Sequence, residues 1–457
     1  MPDTTHSIAL PCPSALVTDL YELTMAAAYF ENNFAANATF ELFVRSLPND
    51  RGYLLFAGLE QALEFMEQVR FKPEEIDFIR RHPVFKHVSD AFFDYLRDFR
   101  FTGEVWAIRD GTPIFAQEPL LRVTAPIIEA QLVETFLLNS VAFPTMIATK
   151  AARLVEAAQG RAVIEFGTRR AHGAQAGLLA ARASYVGGCV GTSNVEAGFH
   201  YGIPTYGTVA HSFIMAYGDE EEAFRRFCDV YPDDSILLID TYDTKRAVEK
   251  IIAMELQPKA VRLDSGDLAE QSKMVRRMLD SAGLQDTKIF ASGDLDEFII
   301  TRMLAQHAPI DFFAVGTALV TSKDAPSLGA VYKLVEIKQN GQTRYAAKFS
   351  EDKVTYPGKK QVFRFSDARD CYERDVIARE SESHPGAQPL LECMMRNGER
   401  TDPAPALKEV REHASESLRR LPARYRELKD SSKYPVAFSD QLERLLKQVK
   451  DEVASGG

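Results

Sequence analysis

The chain has 457 residues, 46% of them hydrophobic, enough for two or three domains with a sizeable core. Its 54 basic and 65 acidic side chains leave a formal charge of −11, which excludes the basic stripe a nucleic-acid backbone requires, while small anions need only local positive groups. Five scattered cysteines without a CxxC pair, no export signal and no run of about 18 apolar residues point to a soluble protein of the reducing cytoplasm, with no membrane partner.

Near the start, Leu16, Leu20, Leu23, Ala27 and Phe30 keep helical spacing, with Thr18 or Asp19 able to cap the helix. Tyr21 in this helix could stack on an aromatic ring or fill a core. Thr39 to Leu47 alternates as a strand, and Gly58 to Val69 returns to helical spacing through Leu59, Ala62, Leu63 and Met66. After Gly103 come short strands and turns punctuated by Pro113, Pro119 and Pro126, so residues 1–125 read as a mixed α/β domain.

An apolar helix through Leu132, Phe136, Leu137 and Val141 then leads into a repeating region that extends to residue 333. Four strand-like segments lie within it: Ile236 to Asp240, Ala260 to Asp267, Ile289 to Asp294 and Phe312 to Thr317. The markers Asp240, Asp264, Ser292 and Gly316 are separated by 24, 28 and 24 residues, the length of a strand, a helix and two short loops. That spacing predicts βα units around a parallel sheet over residues 126–333, with polar strand tips gathered at the face where such folds bind substrates.

Residues 334–457 alternate as strands around Gly341 and Pro357–Gly358, then become charged and helical from Ala406. The stretch 367–410 carries no functional signal, and Cys371 and Cys393 lack the clustered partners of a metal site. Since no low-complexity linker separates the parts, the two terminal segments are expected to pack together and against the middle one.

Several loop ends could carry chemistry. His211, in Gly207-Thr-Val-Ala-His-Ser-Phe213, stands where an apolar strand meets a polar turn, as a base, a ligand, a phosphoryl-accepting nucleophile or a hydrogen-bonded core histidine. Arg169 and Arg170 follow the apolar strand ending at Glu165 and could grip a carboxylate or phosphate bidentately, or pair with a surface acid. Arg262-Leu-Asp264-Ser-Gly-Asp267 crowds an arginine and two acids into one turn, suited to an anion beside Mg²⁺ or ribose hydroxyls. Ser292-Gly293-Asp294 and Gly316-Thr317 offer unobstructed backbone N–H groups at helix entrances; such turns are common singly and gain meaning by recurring in consecutive units.

Taken together, these pieces resemble the nicotinate phosphoribosyltransferase family. The likeness rests on Thr18-Asp-Leu-Tyr-Glu-Leu-Thr-Met25, Glu165-Phe-Gly-Thr-Arg-Arg170, Gly191-Thr-Ser-Asn-Val195, Gly207 to Phe213, Arg262 to Asp267, Ser292 to Asp294, Val315-Gly-Thr317, Gly329 to Leu334 and Lys353 to Gly358, in this order. It implies an irregular TIM-like α/β barrel of the type II phosphoribosyltransferases, with a second α/β domain formed by the N- and C-terminal segments. It further implies ATP-dependent condensation of nicotinate with 5-phosphoribosyl 1-pyrophosphate, with Mg²⁺, in a homodimer with shared active sites.

By this resemblance His211 is a phosphohistidine and, with Asp264 and Arg262, catalytic. Tyr21 stacks on the pyridine ring from the neighbouring subunit, and Arg169, Thr208 and Arg262 surround nicotinate and pyrophosphate. Asp240, Asp264, Gly293 and Asp294 lie on the ribose and metal side, Ser292 binds substrate, Asp264 and Asp267 hold Mg²⁺, and Gly316 with Thr317 receives the 5′-phosphate.

Ser193 stands where the similar nicotinamide enzymes carry an aspartate, which would repel a carboxylate in a dry pocket. It therefore favours the acid as substrate. The alternatives are the nicotinamide-using enzyme, the quinolinate-using enzyme of related architecture, and a binding-only relative, against which stands the presence of a competent residue at every charge-handling position.

Overall fold

The computed structural model describes residues 13–350 and 353–455, so Cys12 lies outside the described residues. The described residues form two compact units, one spanning Ile147–Pro326 and the other joining residues 13–146 with those from Ser327 onward. The sequence reading set the repeating region at 126–333; the unit's first boundary instead falls inside a continuous helix, Glu134–Ala157, whose apolar pattern runs on past Pro144 and gives no local sign of it.

In the first unit six strands form one sheet in the order Ile236–Leu238, Ala260–Leu263, Lys288–Ala291, Phe312–Val315, Ala162–Glu165 and Gly191–Thr192. Every pairing is parallel. Thr205 adds a further parallel bridge to Thr192. Parallel strands covered on both faces read as apolar runs, and all four residues of Ala260–Leu263 are buried.

Between strands, the helices Thr244–Ala253, Leu268–Ser281 and Glu297–Ala305 start alike: Asp243, Asp267 and Asp296 accept the N–H of Arg246, Glu270 and Ile299 at 2.8, 3.1 and 2.8 Å. Each aspartate satisfies one of the orphan donors of a helix start, which accounts for the polar turn after these three strands, whereas Gly316 and Gly167 cap nothing through a side chain. Ile164, Phe166, Phe290 and Ala314 make a core cluster, with the rings of Phe166 and Phe290 edge to face at 5.7 Å. Among the described residues no backbone ladder joins the Thr205 segment to the Ile236–Leu238 strand, so the barrel has a seam there.

The second unit is built on an antiparallel sheet ordered Gln342–Tyr345, Ala330–Gln339, Asn37–Val44, Pro119–Pro126, Glu104–Ala107, Glu392–Arg396 and Glu399–Arg400. The N-terminal strand Asn37–Val44 lies between one strand from each terminal segment, which locks the two together. Asn340 and Gly341, with φ of 50° and 78°, turn the hairpin that the sequence marked at Gly341. A four-stranded sheet of Gln388–Pro389, Lys360–Ser366, Tyr372–Arg379 and Val436–Phe438 completes the unit, so the functionally silent stretch 367–410 supplies strands to both sheets of this unit.

Two expectations need correction. The opening helix is Leu20–Glu31 and does not reach back to Leu16, whose N–H bonds Ser14 Oγ at 3.0 Å; neither Thr18 nor Asp19 caps it through a side chain, because Thr18 donates to Glu22 and Asp19 accepts from the Thr135 hydroxyl at 2.6 Å. The stretch Ile127–Ala157 is, by length and composition, apolar enough to cross a membrane, with a mean hydropathy of 1.3 in its best window. Small uncharged residues such as Ser140, Thr145 and Thr149 interrupt the apolar run without lowering its average much, and 67% of that window is buried, as in a core helix.

Candidate active site

The C-terminal ends of the parallel strands carry two polar clusters. The first is centred on Arg262, at the end of its strand and only 8% exposed. Its guanidinium donates from Nε to Ser292 Oγ at 2.8 Å, from Nη1 to Thr208 Oγ1 at 2.7 Å and from Nη2 to Asp264 Oδ1 at 2.7 Å. Three loop ends are thus fixed by one planar group, which a lysine could not reproduce.

Asp264 also accepts the Ser292 hydroxyl at 2.5 Å, and its Oδ2 lies 3.7 Å from His211 Nε2. Burial pushes its pKa up, but the Ser292 hydrogen bond and the Arg262 charge more than offset this, leaving it below the ordinary carboxylate range. His211 is the first residue of the helix His211–Tyr217, not the end of a strand, and its Nδ1 is 3.1 Å from Thr241 Oγ1.

Asp240 ties the cluster to the next strand. Its Oδ2 accepts the Asp264 N–H at 2.9 Å and the Ser265 hydroxyl at 2.6 Å, while its Oδ1 is buried without a hydrogen-bond partner. Gly293 closes the floor: with φ of 92°, a Cβ there would lie 1.9 Å from the Asp264 carbonyl oxygen, so the turn tolerates only glycine.

The second cluster surrounds Glu165. This fully buried carboxylate accepts the Gly167 N–H and the Thr192 hydroxyl, and burial raises its pKa although those bonds and Arg169 pull it down. Ser193 donates its N–H to the Glu165 carbonyl at 2.8 Å, which places Ser193 beside the loop of Arg169. Gly167 is required by packing, since a Cβ would meet Val320 Cγ1 at 2.2 Å and the Gly316 carbonyl at 2.9 Å. Phe166 links the clusters, with the Arg262 guanidinium 6.0 Å from its ring centroid.

Of the residues singled out from sequence, Thr208, His211, Asp240, Arg262, Asp264, Ser292 and Gly293 are therefore joined in one network, and Arg169, Ser193 and Gly316 lie around Glu165. Asp294, exposed with φ of 46°, and the exposed Thr317 sit on the same set of loop ends but make no hydrogen bond to either cluster. Asp267 commits one oxygen to capping its helix, and among the described residues no group of three His, Cys, Asp or Glu could hold a metal by itself. Tyr21 belongs to the other unit and is 45% exposed; burial of its hydroxyl and the nearby Glu134 raise its pKa.

Sequence reasoning passed over Glu165, Thr192, Thr241 and Ser265 as site residues. Thr241 directly follows Asp240 and Ser265 directly follows Asp264, so adjacency to a strand-tip acid was the available signal.

A parallel barrel-like sheet with an arginine, acids, a histidine and glycine turns at its strand ends, in a chain whose terminal segments form a second domain, defines a type II phosphoribosyltransferase. Family models agree: nicotinate phosphoribosyltransferase N-terminal domain matches residues 16–142, quinolinate phosphoribosyl transferase C-terminal domain 147–325, and nicotinate phosphoribosyltransferase C-terminal domain 386–446. A nicotinate phosphoribosyltransferase of Mycobacterium tuberculosis is 47% identical over 436 residues, covering 94% of this chain and 92% of that one. That of Bacillus subtilis is 39% identical over 459 residues, covering 93% of each. The crystal structure of human nicotinic acid phosphoribosyltransferase matches with a TM-score of 0.83 at 27% identity, over 95% of this chain and 99% of that one. The chain belongs to the nicotinate phosphoribosyltransferase family.

Proposed function

We propose that this enzyme joins nicotinate to 5-phosphoribosyl 1-pyrophosphate, releasing nicotinate mononucleotide and pyrophosphate, with ATP hydrolysis coupled through phosphorylated His211. The carrying observation is the network that holds Arg262 on Thr208, Ser292 and Asp264 with His211 at its edge. Loss of pyrophosphate from the anomeric carbon builds positive charge on the ribose and negative charge on the leaving group, and both must be met at once. Arg262 and Thr208 meet the leaving pyrophosphate, and the Asp240 and Asp264 carboxylates meet the sugar. Gly293 and Asp294 bound the ribose, Gly316 and Thr317 take the 5′-phosphate, and Arg169 with Ser193 takes the nicotinate carboxylate.

The residues present fit Mg²⁺: the buried, unpartnered Asp240 Oδ1 and the Asp264 Oδ2 are hard oxygen donors, and this ion binds through one or two carboxylates plus substrate phosphates. Bound there with the substrate, it would neutralise pyrophosphate charge. Asp267 enters this set only with the oxygen left over from its capping bond.

A phosphoryl group on His211 adds about −1.5 to −2 charges next to Asp264, which changes affinity for anionic substrates and so couples ATP to the equilibrium. A homodimer in the cytoplasm completes the reading. Exposed Leu20 and Tyr21 in one unit and Val195, Phe199, Met215 and Tyr217 in the other are apolar surface for a second copy to cover, and Cys228, Cys371 and Cys393 are free thiols. The test is nicotinate mononucleotide formation with and without ATP. His211→Ala is expected to abolish ATP stimulation, and stimulation that survived the substitution would refute the phosphohistidine.

A further inference from the structure

His211 opens a seven-residue helix, and 41% of its side chain is exposed, so packing alone does not fix the ring. At 3.7 Å, Asp264 is beyond hydrogen-bond reach of Nε2. Among the described residues the one hydrogen bond to the imidazole joins Thr241 Oγ1 and Nδ1, at 3.1 Å. It also crosses the seam where no backbone ladder joins the segment before His211 to the Ile236–Leu238 strand.

Thr241 is well suited to hold a ring. It lies between two anchored acids: Asp240, whose carboxylate ties the Asp264 N–H and the Ser265 hydroxyl, and Asp243, which caps the helix Thr244–Ala253 by accepting the Arg246 N–H at 2.8 Å. Its branched side chain has few rotamers, so the hydroxyl is presented in a restricted direction.

We infer that Thr241 is a positioning residue for His211: its hydroxyl fixes the rotation of the imidazole and the register of the seam, so that the ring edge meets the phosphoryl donor. This rests on the phosphohistidine reading and deepens it. A ring free to turn about its Cβ–Cγ bond is misplaced by an ångström or more, and such misplacement costs on the order of 100-fold in rate.

The test is transfer of label from γ-labelled ATP to the full-length enzyme. Thr241→Val keeps the shape and removes the hydroxyl, and it is expected to slow labelling roughly 10- to 100-fold with little change in the KM for ATP. Thr241→Ser, which restores the hydroxyl, is expected to recover most of the rate, and Thr241→Ala serves if the valine variant does not fold. A misfolded site would raise KM and would not be rescued by serine. Labelling of the valine or alanine variant at the wild-type rate, or a serine variant as slow as valine, would overturn the role of Thr241 alone. A wild-type enzyme that takes no label would overturn both this role and the phosphohistidine.

Discussion

Arginine beside acid occurs in both units, with opposite consequences. In the terminal-segment unit Arg364 is 1% exposed and pairs with the fully buried Asp375, through Nε at 3.0 and 3.1 Å and Nη2 at 2.6 Å. The Tyr434 hydroxyl donates to Asp375 at 3.1 Å, and Tyr434 stacks on Phe115 at 3.8 Å. Glu118 completes the group; burial and the neighbouring Asp375 raise its pKa well above the usual value. There the charges serve each other and the fold, although Arg364 Nη1 and Glu118 Oε1 stay buried without a hydrogen-bond partner.

In the barrel, Arg262 binds three partners, yet the surrounding acids keep capacity in reserve, with Asp240 Oδ1 unpartnered and Asp264 Oδ2 unbonded to His211. A site that must receive an anion and a cationic transition state cannot satisfy itself completely. The difference teaches that leftover pairing capacity alone does not mark function; in the barrel it lies at strand ends, beside a half-exposed histidine.

The contrast can be broken by substitution. Arg262→Lys should have the largest effect, because an ammonium cannot hold Ser292, Thr208 and Asp264 in one plane: kcat/KM is expected to fall on the order of 10²–10³-fold in a steady-state assay, with the thermal midpoint little moved. A wild-type rate would mean that the network is structural.

Asp375→Asn should do the reverse. It leaves the Arg364 charge buried without its partner, so denaturant unfolding is expected to show a loss of about 3–5 kcal/mol, with turnover per folded molecule kept. Unchanged stability would show that the pair contributes nothing net.

A smaller effect sharpens the comparison within the opening helix. Burial, opposed by hydrogen bonds from Thr135 and Thr18, pushes the Glu22 pKa up to about 7 from 4.5. The folded state therefore holds a proton that the unfolded state has lost between those values, so the contribution of Glu22 to stability is greatest below about pH 4.5 and declines as pH rises towards 7. Glu22→Gln is expected to remove that decline in thermal unfolding measured across the window, and an unaltered slope would assign it to other groups.

Much of the barrel was legible because its signals are local. A strand, a polar turn and an aspartate that caps the next helix lie within a few residues of each other, so Asp240, Asp264, Ser292 and Gly316 announced themselves by spacing. The same locality left Asp267 ambiguous: an acid in a polar turn looks alike whether it faces a ligand or caps a helix, and the bond to Glu270 N–H shows that one of its oxygens caps. Thr241 and Glu165 were passed over because their partners, His211 and Thr192, are distant in sequence and meet only when the strand ends converge.

By itself the sequence determined the alternation of elements, the glycines at positions that admit no side chain, and the family, since each follows from local sterics or from the order of motifs along the chain. The tertiary structure alone decided which acids are spent on helix starts, which carboxylate oxygens are left over, and which hydroxyl meets the histidine. Those outcomes depend on distances between loop ends, and the sheet's strand order sets those distances.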